Sequence, residues 1–272
     1  MDWLSIAISS IALLVSISSF QWNKAQHNLN QLQNNAKKFC DNMQEFIELG
    51  TEHCLSSFKF EMENICHIVD KERQSVAYND LQLEFSKRKN ICQENHKKVM
   101  ESIEFLWIQG QVYNNALMKW LNKTLNEYYL KLSRFYGDLS DINFIVCASK
   151  KGLLTKERKE FVNAFFDNIR DLLDYNIVFI VLKKEIAGYF GRLSLVDVGL
   201  FGKTKSALIK IENDIMRFIE DFGLEEAISK KDYTKIRKCC LNCGEKFDSF
   251  VKEEQANFLQ FLRAEKYTDA EQ

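Results

Sequence analysis

The chain has 272 residues, a formal net charge of −1, ten glycines, eight cysteines and no proline. At the usual proline share of about 5%, a chain this long carries roughly a dozen, so the residues that build tight turns and break helices are nearly missing. That excludes collagen-like chains and proline-rich linkers and argues against sandwiches and propellers, while near-neutrality supplies no global field toward nucleic acid or acidic substrates. Long helices remain, in a length that suits one large or two modest domains with a real core.

The first segment is the most informative. From Trp3 to Trp22 no residue is charged, and twenty helical residues span about 30 Å, the thickness of a bilayer core. Trp3 at one end and Phe20 with Trp22 at the other match the aromatic belts of the two interfaces. A cleaved signal peptide calls for a basic leader and a small-residue cleavage site, whereas here Asp2 leads and SSFQWNK follows. The reading is a retained, single-pass transmembrane helix over residues 3–22. Only Asp2 and the terminal amine precede it, and Lys24, Lys37 and Lys38 follow, so the charge asymmetry predicts the N-terminus outside and a cytoplasmic C-terminal domain. In that reducing compartment the eight cysteines are expected as free thiols.

The span carries six serines. Ser5, Ser9, Ala12, Ser16 and Ser19 are spaced four, three, four and three, a heptad seam along one face. Small residues let membrane helices approach closely and hydroxyls bond across the contact, which points to a homo-oligomer packing face, or, in a ring of enough copies, to the lining of a narrow pore. The competing reading is that each serine bonds back to its own helix.

A second pattern follows directly: Trp22, Ala25, Leu29, Leu32, Ala36, Phe39, Met43 and Phe46 alternate three and four apart. With no glycine before Gly50, the sequence predicts one helix of about 70 Å from Asp2 to Glu48. Its juxtamembrane stripe, Leu29, Leu32, Ala36, Phe39, Met43 and Phe46, must pack on the protein's own downstream helices or on copies of itself.

The remainder reads as successive amphipathic helices. One stripe is Leu55, Phe58, Met62, Ile65, Cys66 and Val69; another is Tyr113, Leu117, Trp120, Leu121, Thr124, Tyr128, Leu132 and Phe135. Gly110 and Gly137 are expected in turns or kinks, and a stop at Gly152 with a cap at Thr155 divides a first helical part (23–152) from a second (153–272). Phe161, Phe165, Ile169, Leu172 and Leu173 carry the next helix toward Tyr189, with Asp167, Asp171 and Asp174 read as a solvated face that Arg170 neutralises. Ile177 to Leu182 is too short to cross a bilayer and reads as buried helix or strand. The glycine-rich stretch from Gly188 to Gly202 is expected as the main loop between an N-terminal and a C-terminal half of the chain.

Several motifs fall short of a chemistry. Gly202-Lys203-Thr204 before an apolar helix is similar only in part to a phosphate-cradling loop, because the first glycine position holds Asp197. Asp221-Phe222-Gly223 reads as a helix end with a glycine cap. Cys240 and Cys243 have the spacing of half a zinc site, but no second pair exists, and they continue an apolar stripe from Tyr233 and Ile236, so they read as core. The basic runs Lys150, Lys151, Lys156, Arg158, Lys159 and Lys230, Lys231, Lys235, Arg237, Lys238 lack interleaved aromatics, and no nucleic acid partner is expected. His27, His53, His67 and His96 fit no catalytic pattern.

The sequence therefore predicts an all-α chain: a single N-terminal transmembrane helix continuing into a long amphipathic helix and a cytoplasmic helical bundle. No cofactor, metal or catalytic residue is expected. The expected role is a non-enzymatic membrane protein whose domain binds a cytoplasmic protein partner and couples it to oligomerisation of the span, as scaffold or pore-forming effector. A passive anchor for an interaction module, or an enzyme with an unrecognised site, are the alternatives.

Overall fold

A computed structural model of the chain describes residues 3–48, 74–108, 116–148, 156–198, 204–238, 249, 252–253 and 255–256. Among these residues the structure is all-helical, with no strand. Four long helices dominate: α1 (Trp3–Glu48), α2 (Gln74–Ile108), α3 (Ala116–Ala148) and α4 (Lys156–Gly191). Shorter ones follow: α5 (Leu195–Val198), α6 (Thr204–Phe222), α7 (Leu224–Lys230) and α8 (Thr234–Arg237).

The second half of α1 packs on α2 and α4, and α3 packs on the same two helices from the other side. Helix α4 runs antiparallel to α1, since Gln44 meets Lys183 and Gln33 reaches the Leu193 carbonyl. It is also antiparallel to α3, where Tyr128 faces Phe179 and Phe135 stacks on Phe165. The core these helices share draws on both sides of residue 152, from Leu29 and Tyr128 to Phe179 and Ile236. Helix α6 lies over α3 and α4, burying Leu208, Ile211, Ile215 and Ile219 along one face.

Long-range polar contacts fix the helix ends. The buried Glu212 carboxylate accepts the Ala116 amide at 3.1 Å and so caps α3 from ninety-six residues away, where a helix N-terminus favours negative charge. Gly223 closes α6 with φ of 66°, a left-handed conformation that suits glycine, as its place in Asp221-Phe222-Gly223 predicts. Asp232 caps α8 by accepting both the Thr234 amide and hydroxyl.

Two sequence expectations are corrected, and one open alternative is decided. Gly137 does not turn or kink the chain but lies inside α3, and Gly188 and Gly191 belong to α4, so among the described residues of the expected glycine-rich loop only Arg192, Leu193 and Ser194 are non-helical; Gly199 and Gly202 lie outside the described residues. Ile177 to Leu182 is helix, and the strand alternative falls away. Asp167, Asp171 and Asp174 do not form one solvated face. Asp167 pairs with Arg170 at the surface, but Asp171 receives Lys131, Lys231 and the Tyr233 hydroxyl, and buried Asp174 receives Arg237 in two bonds of 2.7 and 2.9 Å. These carboxylates tie α3 and α8 to α4. The stripe from Leu55 to Val69, and Gly110, Tyr113, Gly152 and Thr155, lie outside the described residues.

Candidate functional site

Helix α1 has two halves with opposite surroundings. Ala25, Leu29, Leu32, Ala36, Phe39, Met43 and Phe46 are all buried in the protein's own core, so the juxtamembrane stripe is taken up by the chain's downstream helices. Trp22, at the head of the same stripe, stands 54% exposed. Before it, every side chain described from Ile6 to Phe20 is exposed, including Leu14 at 63% and Phe20 at 70%. Eight large apolar side chains, Ile6, Ile8, Ile11, Leu13, Leu14, Val15, Ile17 and Phe20, thus have no protein cover. Leaving a residue of this kind in water forgoes about 1.5–3 kcal/mol, so the segment needs an apolar surrounding from outside the chain.

The backbone of that segment is internally satisfied as helix, the state in which a chain crosses hydrocarbon. Among the described residues it is the one helix long and apolar enough to span a membrane. The structure carries the helix without a break from Trp3 to Glu48, as the spacing of glycines predicts. One continuous helix therefore joins the exposed apolar segment to the core of the domain.

On this helix Ser9, Ala12, Ser16 and Ser19 are exposed along one side; the Ser5 side chain lies outside what is described. The Ser16 hydroxyl donates to the Ala12 carbonyl at 2.8 Å. Its one donor is used within its own helix, so toward a neighbour Ser16 offers small size and an acceptor oxygen.

Cys240 and Cys243 lie outside the described residues. Cys40 and Cys92 are free and buried, and loss of hydration pushes their thiols up to about 11 and about 12, which makes them unreactive core residues. Among the described residues, no group of three or more His, Cys, Asp or Glu could hold a metal ion. A cleft of about 400 Å³ between α3 and α7 presents Lys123, Lys131, Arg134 and Lys231 beside Glu127 and Glu225. Two of these charges already serve the fold: Lys131 and Lys231 bind Asp171. Glu127 accepts the Tyr175 hydroxyl at 2.9 Å, and burial with that carboxylate holds the phenol well above its ordinary range.

The long-range ties, Glu212 to Ala116, Arg237 to Asp174 and Tyr233 to Asp171, are the polar residues that sequence reading misses. Spacing along the chain contains no signal for partners sixty to ninety-six residues apart.

The chain matches no protein-family model, no curated protein and no solved structure.

Proposed function

We propose that this chain is a single-pass membrane protein without catalytic activity, whose helical domain is coupled mechanically to self-association of its span. The observation that carries the reading is the uninterrupted α1, exposed and apolar over its first half and buried in the domain over its second. A rotation or displacement of the domain's core stripe is transmitted to the Ser9, Ala12, Ser16, Ser19 side, because no glycine, proline or break lies between them to absorb it. A cytoplasmic protein partner that binds the bundle would thereby bias how spans meet, as scaffold or as pore. The cytoplasmic placement of the domain rests on Lys24, Lys37 and Lys38, which follow the span.

The test is helical phase. Two alanines inserted between Asn23 and Lys24 rotate the span relative to the domain by about 200°, whereas seven restore the phase to within about 20°. Under coupling, disulfide crosslinking through Ser9→Cys in membranes falls with two inserted residues and recovers with seven. Equal crosslinking at every insertion length rejects coupling.

A second reading, a passive tether for an interaction module, is favoured by the Ser16 bond to Ala12, since a serine satisfied within its own helix needs no partner copy. It predicts the indifference to insertion length that the first reading forbids.

A further inference from the structure

We propose that the corner formed by the end of α4, α5 and the start of α6 rests on the headgroups of anionic phospholipids, so that the domain sits flush on the membrane; this rests on the membrane reading above. The span ends at Trp22, yet Gln21 is already partly covered and Ala25 is 2% exposed. Three residues of helix rise about 4.5 Å, and the headgroup layer extends about 5–7 Å beyond the hydrocarbon on each side. The domain therefore begins inside that layer, with no stalk between.

Antiparallel packing carries the end of α4 toward the span. Cys40 and Gln44 of α1 meet Lys183, Gln33 reaches Leu193, and the chain then turns into α5, which packs on α1 nearer the span and on α6. Helix α5 is pinned from both sides. The Ser194 amide and hydroxyl donate to the Asp197 carboxylate at 3.0 and 2.7 Å, and Val198 is fully buried in the core. Val196 between them is left 85% exposed, as much as Trp3 at the start of the span.

Charge around this valine favours an anionic surface. Arg192 stands exposed against the Tyr189 ring at 4.7 Å, and Lys24, Lys205 and Lys210 are exposed on α1 and α6. The opposing carboxylates are Asp197, engaged by Ser194, and Asp214, which shares a cleft with Arg192 and Lys210. An exposed apolar residue on an element flanked by an excess of lysine and arginine is the composition of a membrane-surface contact.

The experiment uses the full chain in nanodiscs of phosphatidylcholine, with or without phosphatidylserine, carrying a photo-reactive benzoylphenylalanine at Val196, at Ile11 in the span, or at Ile91. The last is exposed on α2 beyond the His96 level that meets Phe46, far from the span. Labelled phospholipid should crosslink at 11 in both membranes, at 196 chiefly in the anionic one, and not at 91. Because each basic residue near such a surface shifts the equilibrium about fivefold, Arg192→Gln, Lys205→Gln and Lys210→Gln should each lower labelling at 196 by about that factor and leave labelling at 11 unchanged. Labelling at 11 without labelling at 196, equal labelling at 196 in both membranes, or crosslinks from 196 to a second copy of the chain each overturn the docking and leave the anchor standing. Absence of labelling at 11 overturns the membrane reading and this inference with it.

Discussion

His96 is the residue at which packing and titration meet. Its ring stacks on Tyr129 at 4.6 Å and lies 5.7 Å from Phe46, and Nε2 has no partner among the described residues. Loss of hydration lowers its pKa below the ordinary 6.5, and a hydrogen bond with Asn126 opposes this in part. A group depressed on folding stabilises fully above its unfolded pKa and loses that contribution as pH falls through its folded one. The melting temperature should therefore hold from mildly alkaline pH to about 6.5 and fall below it, and His96→Phe should flatten the fall. An identical pH slope in wild type and variant assigns the acid sensitivity to the carboxylates instead. The sequence offers nothing to anticipate this environment, because Phe46 and Tyr129 come from two other helices. Asp174 was hidden for the same reason: its neighbour Arg170 suggested a solvated face, while its partner Arg237 lies sixty-three residues on.

At the scale of the element, the periodicities of α1 and α3 were legible because one face of each is buried over many turns, from Ala25 to Phe46 and from Leu117 to Phe135. Glycine misled where it does not punctuate. A Cβ at Gly137 or at Gly188 would have nothing within 4 Å beyond the helix's own backbone, so neither glycine is required by packing. Gly137→Ala and Gly188→Ala should each raise stability by about 0.5–1 kcal/mol, the helix-interior difference between the two residues. Gly223→Ala should act in the opposite direction, by about 1–2 kcal/mol, since φ of 66° strains any residue with a Cβ. Denaturant midpoints of the three variants check this, and destabilisation at Gly137 or Gly188 would mean that these glycines serve a close contact in another state of the protein.

At the scale of the whole molecule, the decisive contrast is between a domain that buries its own stripe and an apolar first half of α1 whose described side chains from Ile6 to Phe20 are all exposed. A transmembrane helix gains nothing by choosing serine over leucine against lipid, because each hydroxyl replaces apolar surface. A row of small residues is better suited to a place where another helix comes close. The Ser16 bond to Ala12 sharpens the expectation: with the hydroxyl's one donor engaged inside its own helix, the contact there is expected to depend mainly on size. Single cysteines oxidised in membranes should crosslink at positions 5, 9, 12, 16 and 19 and weakly at 4, 8, 11 and 15. In a chain carrying Ser9→Cys, a further Ser16→Ala should leave crosslinking within about twofold, whereas Ser16→Leu, by holding the helices apart, should reduce it by at least about threefold, the equivalent of one weak interhelical contact of about 0.6 kcal/mol. If Ser16→Ala is as damaging as Ser16→Leu, the hydroxyl itself bonds across the interface, either as an acceptor or by giving up its bond to Ala12. Uniform crosslinking around the helix, or none, reduces the span to a tether and leaves the function to the domain above it.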